Sequence, residues 1–301
     1  MNLFKNKKKR KLFIILMLAW PIVHWLTFTL YMNIQTLIYS FKHFNHFKGR
    51  MQFVLFDNYI ELFDMFINNT NSIAIAFRNT FLWLLLNVFV IVPIALLVAY
   101  ILSKKVPFYR FFNTVFFIPN IVSIVILTMI WAFMWDPNQG VVNGLLDILN
   151  LSQYKMVWLG DHRTALGNVF LYCVWAGIGW NNLIIGGAIS KIPEEIFEAA
   201  AIDGVDNFRE FINIILPSVW PTIATVTLIG AASAFRVFLH PKLLTNGKYD
   251  TASVALKLVE SVTDTGEYGM ASSIGITIAV LGFIVVYIIK YQLDRVEKYW
   301  S

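Results

Sequence analysis

Long stretches of the chain contain no Asp, Glu, Lys or Arg, and they dominate its hydrophobic pattern. Six of these stretches hold at least 22 residues: 12–41, 79–103, 111–135, 164–190, 211–235 and 268–289. The next longest, 65–77, has 13 residues and includes a polar cluster of Asn, Thr and Ser. Because a helix needs about 20 apolar residues to cross the hydrocarbon core of a membrane, the pattern predicts six transmembrane helices.

Composition and charge support a membrane protein and orient it. Charged residues make up 14% of the 301 residues and hydrophobic residues 58%, whereas soluble domains have about 25% charged residues. This excludes a soluble enzyme, a nucleic-acid binder and a disulfide-stapled secreted domain. Six of the 24 Lys and Arg residues lie in the tail 1–11, and the segment 104–110 is purely basic. By the positive-inside rule, we expect both termini and 104–110 in the cytoplasm.

The charge pattern divides the chain into segments. The first run is too long for the apolar part of a signal peptide and is predicted to be a retained helix. The predicted fold is an all-α integral membrane protein with transmembrane helices at 12–41, 79–103, 111–135, 164–190, 218–238 and 268–290. The other predicted segments are a basic cytoplasmic tail 1–11, an external segment 42–78, external loops 136–163 and 239–267, a cytoplasmic loop 191–217 and a cytoplasmic tail 291–301.

The sequence lacks a cysteine pair and two motifs that bind a phosphate group or a metal. The single cysteine, Cys173, lies inside a predicted helix, so no intramolecular disulfide can form. The chain has neither a Gly-x-x-x-x-Gly-Lys-Ser/Thr phosphate loop nor a His-Glu-x-x-His metal motif. If the protein works with ATP or a metal, we expect another chain to supply them.

The loop 191–217 departs from the basic pattern of the cytoplasmic side, since it holds six acids and two bases. Pro193 suits the first turn of a helix, and Gly204 suits the left-handed cap that ends one. Asp206 is expected to cap a second helix that leads to helix 5. The first helix is predicted to carry an apolar side, for which docking to a partner is favoured over the membrane surface; this side comprises Ile196, Phe197, Ala200 and Ala201.

The same loop carries a spaced motif. Glu198-Ala199-Ala200 is followed after three residues by Gly204, after nine more by Ile214, and after one more by Leu216-Pro217. This pattern resembles the EAA motif of permease subunits in binding-protein-dependent ABC importers, with all seven fixed positions filled. Ile192-Pro193-Glu194 and Ala201-Ile202-Asp203 extend it and are similar to the carbohydrate-uptake branch, the relatives of the maltose permease.

Weaker similarities to that branch run along most of the chain. They comprise Phe56-Asp57-Asn58-Tyr59 with Asn79-Thr80, Phe117-Ile118-Pro119, Trp158-Leu159-Gly160 with Thr164-Ala165-Leu166, and Leu244-Thr245-Asn246-Gly247. The last departs from the family pattern, because Lys248-Tyr249 replace its Gly-Pro. The departure concerns the turn of an external loop and not the resemblance as a whole.

The resemblance implies a type I ABC importer permease fold and a transport subunit that is not itself an enzyme. It implies no cofactor in this chain, since ATP and Mg would be bound by two partner ATPase subunits that dock on 191–217. Glu198 would be the charged anchor of that docking, and the small Ala199 and Ala200 would permit close approach. The residues implied in ATPase coupling are Glu198, Ala199, Ala200, Ala201, Asp203, Gly204, Ile214, Leu216 and Pro217.

Further partners follow from the same resemblance. It implies a second, homologous permease subunit and an external solute-binding protein on the outer loops. Membrane lipid would surround the helices, and no nucleic acid would bind. The implied location is the bacterial cytoplasmic membrane, which the chain would cross several times.

Polar and aromatic side chains within predicted helices 3 to 5 are candidates for a substrate pathway, because polar groups are costly inside a membrane. These candidates are Phe116, Asn120, Gly177, Trp180, Asn181, Ser233 and Arg236. Amides and aromatic faces suit a sugar. Among the positions aligned with the maltose-type pocket, Asn120, Gly177 and Trp180 keep suitable chemistry, whereas Cys173, Gly230, Ala234 and Val237 do not. The pocket could therefore lie mainly in the partner subunit or hold a different sugar.

Each candidate also has an ordinary structural interpretation. Asn and Ser often hydrogen-bond between transmembrane helices, and Trp often anchors a helix at the membrane interface. Arg236 could pair with an anionic sugar such as a uronate or extend to the lipid headgroups.

The sequence therefore predicts half of the translocation pathway of an ATP-driven importer for a sugar or oligosaccharide, neutral or anionic. The alternative is a self-contained ion-coupled secondary transporter, which would need ionisable residues in mid-helix. Within the six runs the only such side chain is His24. A membrane-embedded enzyme would need a His/Asp/Glu constellation, and the acidic cluster of this chain lies in 191–217.

Overall fold

The computed structural model describes residues 7–45, 50–68 and 72–300. Residues 1–6 of the predicted basic tail, two stretches of the predicted external segment 42–78, and residue 301 lie outside these ranges. The described helices are α1 Lys7–His24, α2 Met32–Ser40, α3 Asp57–Ile67, α4 Ile73–Leu86, α5 Val92–Ser103, α6 Tyr109–Ile121, α7 Ile124–Met134, α8 Val141–Ile148, α9 Ala165–Ile189, α10 Glu194–Ile202, α11 Asn207–Glu210, α12 Leu216–Ala234, α13 Leu239–Thr245, α14 Val254–Thr263 and α15 Tyr268–Trp300. Two strands are described, β1 Lys42–Asn45 and β2 Arg50–Phe53, together with π-helical segments Trp25–Tyr31, Asn87–Ile91 and Phe211–Ile215 and a 3-10 turn Ser152–Tyr154.

The long helices are those of a multi-pass membrane protein. Within the described chain, five continuous helices are long and apolar enough to cross a membrane: Arg10–Ser40, Ile73–Ser103, Ala165–Ile189, Asn207–Ala234 and Tyr268–Trp300. The pair α6 and α7 makes a sixth span if it is counted as one. The mostly helical membrane architecture expected from the sequence is therefore confirmed, with two short strands added to the all-α prediction.

The third predicted helix, 111–135, is broken into two. Helices α6 and α7 are bent by 107° relative to each other, and the backbone is extended at Val122 and Ser123, with ψ of 141° and 136°. Pro119 in the last turn of α6 has no N–H to donate, and its ring crowds the carbonyl of the preceding turn. The helix ends two residues later, a break that a count of charged residues could not reveal.

The predicted second helix after Asp206 and helix 5 form one continuous helix, which begins at Asn207. It ends at Ala234, four residues before the predicted end, whereas α15 continues to Trp300, past the predicted end at 290. Pro217 lies two residues after the π-helical segment Phe211–Ile215, and Pro93 lies two residues after Asn87–Ile91. The wider π turn accommodates a proline that cannot donate to the preceding turn, so the helix continues through it.

The chain divides into two compact units, of which the first comprises residues 1–64 and 260–277. Here β1 and β2 form an antiparallel hairpin with Lys42 opposite Phe53. The buried Asn58 of α3 donates from Nδ2 to the carbonyls of Ser40 and Lys42, at 2.8 and 2.9 Å. Of the predicted external segment 42–78, residues 42–45 and 50–67 therefore hold a strand pair tied to helix α3, and residues 73–78 already belong to α4. Aromatic contacts add to it, involving Phe41, Phe53, Phe56 and Tyr59.

The second unit comprises residues 65–259 and 278–301, and its core is built around α9. One apolar cluster packs α5, α9 and α12 together; its fully buried members include Ala95, Ala99, Ile185, Ile215 and Val219. A second joins α4, α7, α9 and α12, with Trp83, Trp131, Val169, Tyr172 and Ala231. Buried Asn79 of α4 donates to the carbonyls of Asp250 and Ala252, at 2.6 and 2.9 Å, which fixes the long loop after α13.

Candidate functional site

The acidic loop 191–217 is ordered by two helix caps. Helix α10 follows Pro193 and ends in a Schellman motif, in which Val205 N–H donates to the Ala200 carbonyl at 3.0 Å and Gly204 N–H to the Ala201 carbonyl at 3.2 Å. Gly204 has φ of +69°, and a Cβ at this position would meet nothing within 4 Å. The predicted left-handed cap is confirmed, and the backbone conformation is what requires glycine there.

The second cap starts the long helix that becomes helix 5. The Asp206 carboxylate accepts a hydrogen bond from Arg209 N–H at 2.8 Å, as an N-cap residue does. This predicted cap is confirmed as well. The acidic loop therefore consists of α10, a short turn and the first part of the helix that becomes helix 5. Only residues 203–206 separate the two helices.

The apolar side predicted for α10 is divided between the interior and the surface. Ala200 is buried and Phe197 half-buried, so these two side chains pack inward. The other two members of the predicted side, Ile196 and Ala201, are exposed. Glu198 and Ala199 are also exposed, and Ile202 is 87% exposed. A short helix that buries one face and presents glutamate, alanine and isoleucine on the other is suited to docking.

An ion pair anchors this loop to the end of α5. Lys104 Nζ lies 2.5 and 2.6 Å from the two carboxylate oxygens of Glu210, whose side chain is 11% exposed. The same ammonium lies 5.9 Å from the centre of the Phe197 ring in α10. A hydrogen bond is the third contact: the Tyr100 hydroxyl donates to the Asn207 carbonyl at 2.9 Å. These contacts connect α10 and the start of helix 5 with the helix that contains residues 73–103.

A cavity of about 400 Å³ lies in the second unit between α4, α6, α9 and α12. We call it the Asn87 cavity. Its polar lining includes Trp83, Asn87, Asn120, Ser233 and His240, and its aromatic and small lining includes Tyr172, Cys173, Gly177, Gly230 and Ala234. Its volume lies within the range of small-molecule sites, roughly 300–1,000 Å³.

Three residues of this lining each hold a buried polar side-chain atom that has no hydrogen-bond partner within the geometric limits among the described residues. These atoms are Trp83 Nε1, Asn87 Oδ1 and His240 Nδ1. The Trp83 N–H nevertheless interacts weakly with the Cys173 sulfur, a weak acceptor. Burial lowers the pKa of His240, so its imidazole is neutral at neutral pH.

Two glycines give this region its close packing. A Cβ on Gly230 would collide with the side-chain amide of Asn87, so α12 leaves space for that amide. A Cβ on Gly179 would collide with the Phe116 carbonyl and lie 2.6 Å from Asn120 Nδ2. Glycine at these positions therefore lets α4 and α6 approach α12 and α9.

The candidate pathway residues divide into two groups. Asn120, Gly177 and Ser233 line the Asn87 cavity, as do the positions that had lost sugar-binding chemistry: Cys173, Gly230, Ala234 and Val237. The others lie outside its lining: Phe116 packs against the α5–α9–α12 cluster, Trp180 is 52% exposed, Asn181 donates to the Gly177 carbonyl of its own helix, and Arg236 is exposed.

Residues outside the predicted set complete the lining. Trp83 and Asn87 come from helix 2, and His240 from the segment after helix 5. Asn87 is an amide in the middle of the charge-free run 79–103, so the cost of polar groups in membranes would have identified it. Nothing in the sequence distinguishes Trp83 or His240 from other aromatic residues of the chain.

Comparison with known protein families gives an extended match. A family model described as "Binding-protein-dependent transport system inner membrane component" matches residues 91–298. The chain is 28% identical over 293 residues to the diacetylchitobiose uptake system permease protein NgcF of Streptomyces coelicolor, covering 91% of this chain and 80% of that protein. It is 28% identical over 279 residues to the arabinooligosaccharides transport system permease protein AraP of Bacillus subtilis, covering 91% and 85%.

A solved structure has the same fold. The chain superposes with a TM-score of 0.84 on a chain of a bacterial alginate ABC transporter in complex with an alginate pentasaccharide-bound periplasmic protein. The match covers 96% of each chain at 23% sequence identity. At this identity the similarity establishes the type I permease fold, including the predicted architecture, and leaves the substrate to other arguments.

Proposed function

This chain belongs to the family of binding-protein-dependent transport system inner membrane components, and from that premise we propose that it is a permease subunit of an ATP-driven importer for a sugar or oligosaccharide. It supplies half of a translocation pathway and couples that half to ATPase subunits. The main support for this proposal is the acidic loop 191–217. It combines the spaced motif with an exposed face for docking, and the Lys104–Glu210 pair holds the loop to the membrane helices.

The coupling role rests on the geometry of α10. Phe197 and Ala200 hold the helix against the permease, while Glu198, Ala199 and Ile202 are open to a partner. A motion imposed on α10 would reach helix 5 through the Gly204 turn, and the Lys104–Glu210 pair joins the start of helix 5 to the end of helix 2. Two ATP-binding subunits, with their ATP and Mg, would dock here and do the hydrolysis.

The substrate class rests on relatives and on the Asn87 cavity. Two relatives that align over most of this chain are named for diacetylchitobiose and arabinooligosaccharide transport. The cavity offers amide, hydroxyl and aromatic groups, which suit the polar edges and C–H faces of a sugar.

The remaining parts of the assembly follow from the family. A second, homologous permease would complete the pathway, and an external solute-binding protein would deliver the sugar to the outer loops. The complex would lie in the cytoplasmic membrane of a bacterium.

The coupling role is tested by two variants of α10 in the assembled complex. Glu198→Lys reverses the exposed charge, and Gly204→Val forces a β-branched residue into a left-handed conformation. Both variants are expected to reach the membrane, yet lose sugar uptake and the ATPase stimulation by the loaded binding protein.

Glu297→Lys in α15 is the matched control, since it reverses an exposed glutamate far along the chain from the motif. It should keep both activities. Normal uptake with Glu198→Lys and with Gly204→Val would refute the coupling role.

A further inference from the structure

Helix α3 of the predicted external segment exposes a continuous apolar face. Phe56, Ile60 and Phe63 are four and three residues apart, a spacing that places them on one side of a helix. The Phe56 carbonyl accepts a hydrogen bond from the Ile60 N–H at 3.0 Å, so Phe56 shares the helical geometry. The exposed fractions of the three side chains lie between 57% and 63%. Such a row of large apolar side chains needs a cover, because its contact with water is unfavourable.

The other two sides of α3 have different chemistry. Asn58 and Leu62 are buried and form the side that packs against the protein. Asp57, Glu61 and Asp64 are exposed. With about 3.6 residues per turn, this acidic row lies between the buried side and the apolar face. The helix therefore presents three separate surfaces, and its apolar face points away from the side that packs.

The buried side attaches α3 to the ends of two transmembrane spans. Asn58 Nδ2 donates at 2.8 Å to the carbonyl of Ser40, the last residue of the span Arg10–Ser40. A Cβ on Gly269, at the start of the span Tyr268–Trp300, would collide with the Lys42 carbonyl and lie 3.1 Å from Asn58 Nδ2. One amide of α3 thus contacts the chain where both apolar helices end.

The length of the first span sets the level of these contacts in the membrane. The span Arg10–Ser40 has 31 residues, which corresponds to about 46 Å of helix. A bilayer with its headgroups is about 40–45 Å thick. Ser40 therefore lies at the level of the headgroups, and so does the start of α3. Amphipathic helices at this level insert their apolar face and keep their polar face in water.

We propose that α3 lies in the membrane interface at the ends of these two spans, with Phe56, Ile60 and Phe63 inserted among zwitterionic lipids and the acidic row in water. Free amphipathic helices rely on Lys and Arg to reach an anionic surface. Helix α3 has acids instead, which anionic headgroups repel, and its attachment to two spans holds it at the surface. The inference depends on the membrane spans and is independent of the transported substrate.

Spin labels test the surroundings of α3 in the complete transporter complex, reconstituted in nanodiscs of phosphatidylcholine. Cys173, the single cysteine of the chain, is replaced by alanine. The changes Ile60→Cys, Phe63→Cys and Glu61→Cys are then introduced one at a time, so that at least two of the three apolar residues always remain. A complex without an introduced cysteine gives the background from the partner subunits. Collision with oxygen reports lipid, and collision with a water-soluble nickel chelate reports water.

Labels at positions 60 and 63 should collide mainly with oxygen and lie about 5–10 Å below the water boundary of the interface. Glu61→Cys is the matched control on the same helix, and its label should collide mainly with the nickel chelate. Equal nickel access at all three positions would overturn the proposal, because the apolar face would then lie in water. A label at position 61 as deep as the other two would contradict the orientation of the helix.

A protein partner on the apolar face is the competing result. It would shield positions 60 and 63 from both oxygen and nickel, and this outcome would overturn the proposal. Benzoylphenylalanine at the same positions of the otherwise unchanged chain provides a second measurement that does not require the Cys173 substitution. Photocrosslinks to lipid are expected at positions 60 and 63 and not at 61, whereas crosslinks from 60 and 63 to another subunit would refute the lipid contact.

Discussion

The Lys104–Glu210 pair gives the sharpest test of how the acidic loop is held. The Glu210 side chain is 11% exposed and the Lys104 side chain 36%. Lys104→Met would leave a carboxylate with little water around it and no counter-ion. A fully buried pair broken in this way costs about 3–5 kcal/mol, and an exposed pair about 0.2–1 kcal/mol. For this partly exposed pair, we take about 2 kcal/mol, between those limits.

The measurement is thermal unfolding of the assembled complex, together with the sugar transported per ATP hydrolysed. A loss of about 2 kcal/mol corresponds to a fall of roughly 3 °C in Tm for a chain of this size. Transport per ATP should also fall, because the start of helix 5, which follows α10, would no longer be tied to helix 2. The double variant that exchanges the two charges, Lys104→Glu with Glu210→Lys, should lose less stability and less transport per ATP than the sum of its two single variants.

Lys105→Met is the matched control, since it removes an exposed neighbouring ammonium. The reasoning is refuted if Lys104→Met behaves like Lys105→Met. It is also refuted if the double variant is as impaired as the sum of the two single reversals.

Two further variants test the packing of the second unit. Gly179→Ala should impair assembly and uptake, because its Cβ would collide with the Phe116 carbonyl. Gly187→Ala on the same helix is the control and should be tolerated, because its Cβ meets open space. Equal membrane yield and equal uptake for the two variants would contradict this prediction. Asn79→Leu should destabilise the complex by about 2–3 kcal/mol, through two lost bonds to buried carbonyls at 250 and 252. Faster proteolysis of the 239–267 loop would reveal that loss, and an unchanged cleavage rate would argue against the role of Asn79.

The transmembrane helices could be predicted because each of them contains a long stretch without charged residues. The interruptions could not be predicted, since they depend on prolines in particular backbone contexts. Pro119 is followed by a break, whereas Pro217 lies inside a continuous helix after a π-helical segment. Both residues interrupt the sequence pattern in the same way, and only the surrounding backbone decides the outcome.

The candidate site shows a similar division. The caps at Gly204 and Asp206 follow from local chemistry and were predicted. The Asn87 cavity depends on which side chains are brought together when the helices pack, and this is a property of the tertiary structure. Asn87 could have been selected from its place in the run 79–103, but the roles of Trp83 and His240 could not.

The central claim is that this chain moves a sugar only as part of an ATP-driven complex. The most direct test compares arabinotriose uptake by proteoliposomes that contain the complete complex with uptake by proteoliposomes that contain this chain alone. The account predicts uptake that requires ATP, the ATPase subunits and the binding protein, and none by the chain alone under a proton or sodium gradient. Gradient-driven uptake by the isolated chain would contradict it and favour a secondary transporter.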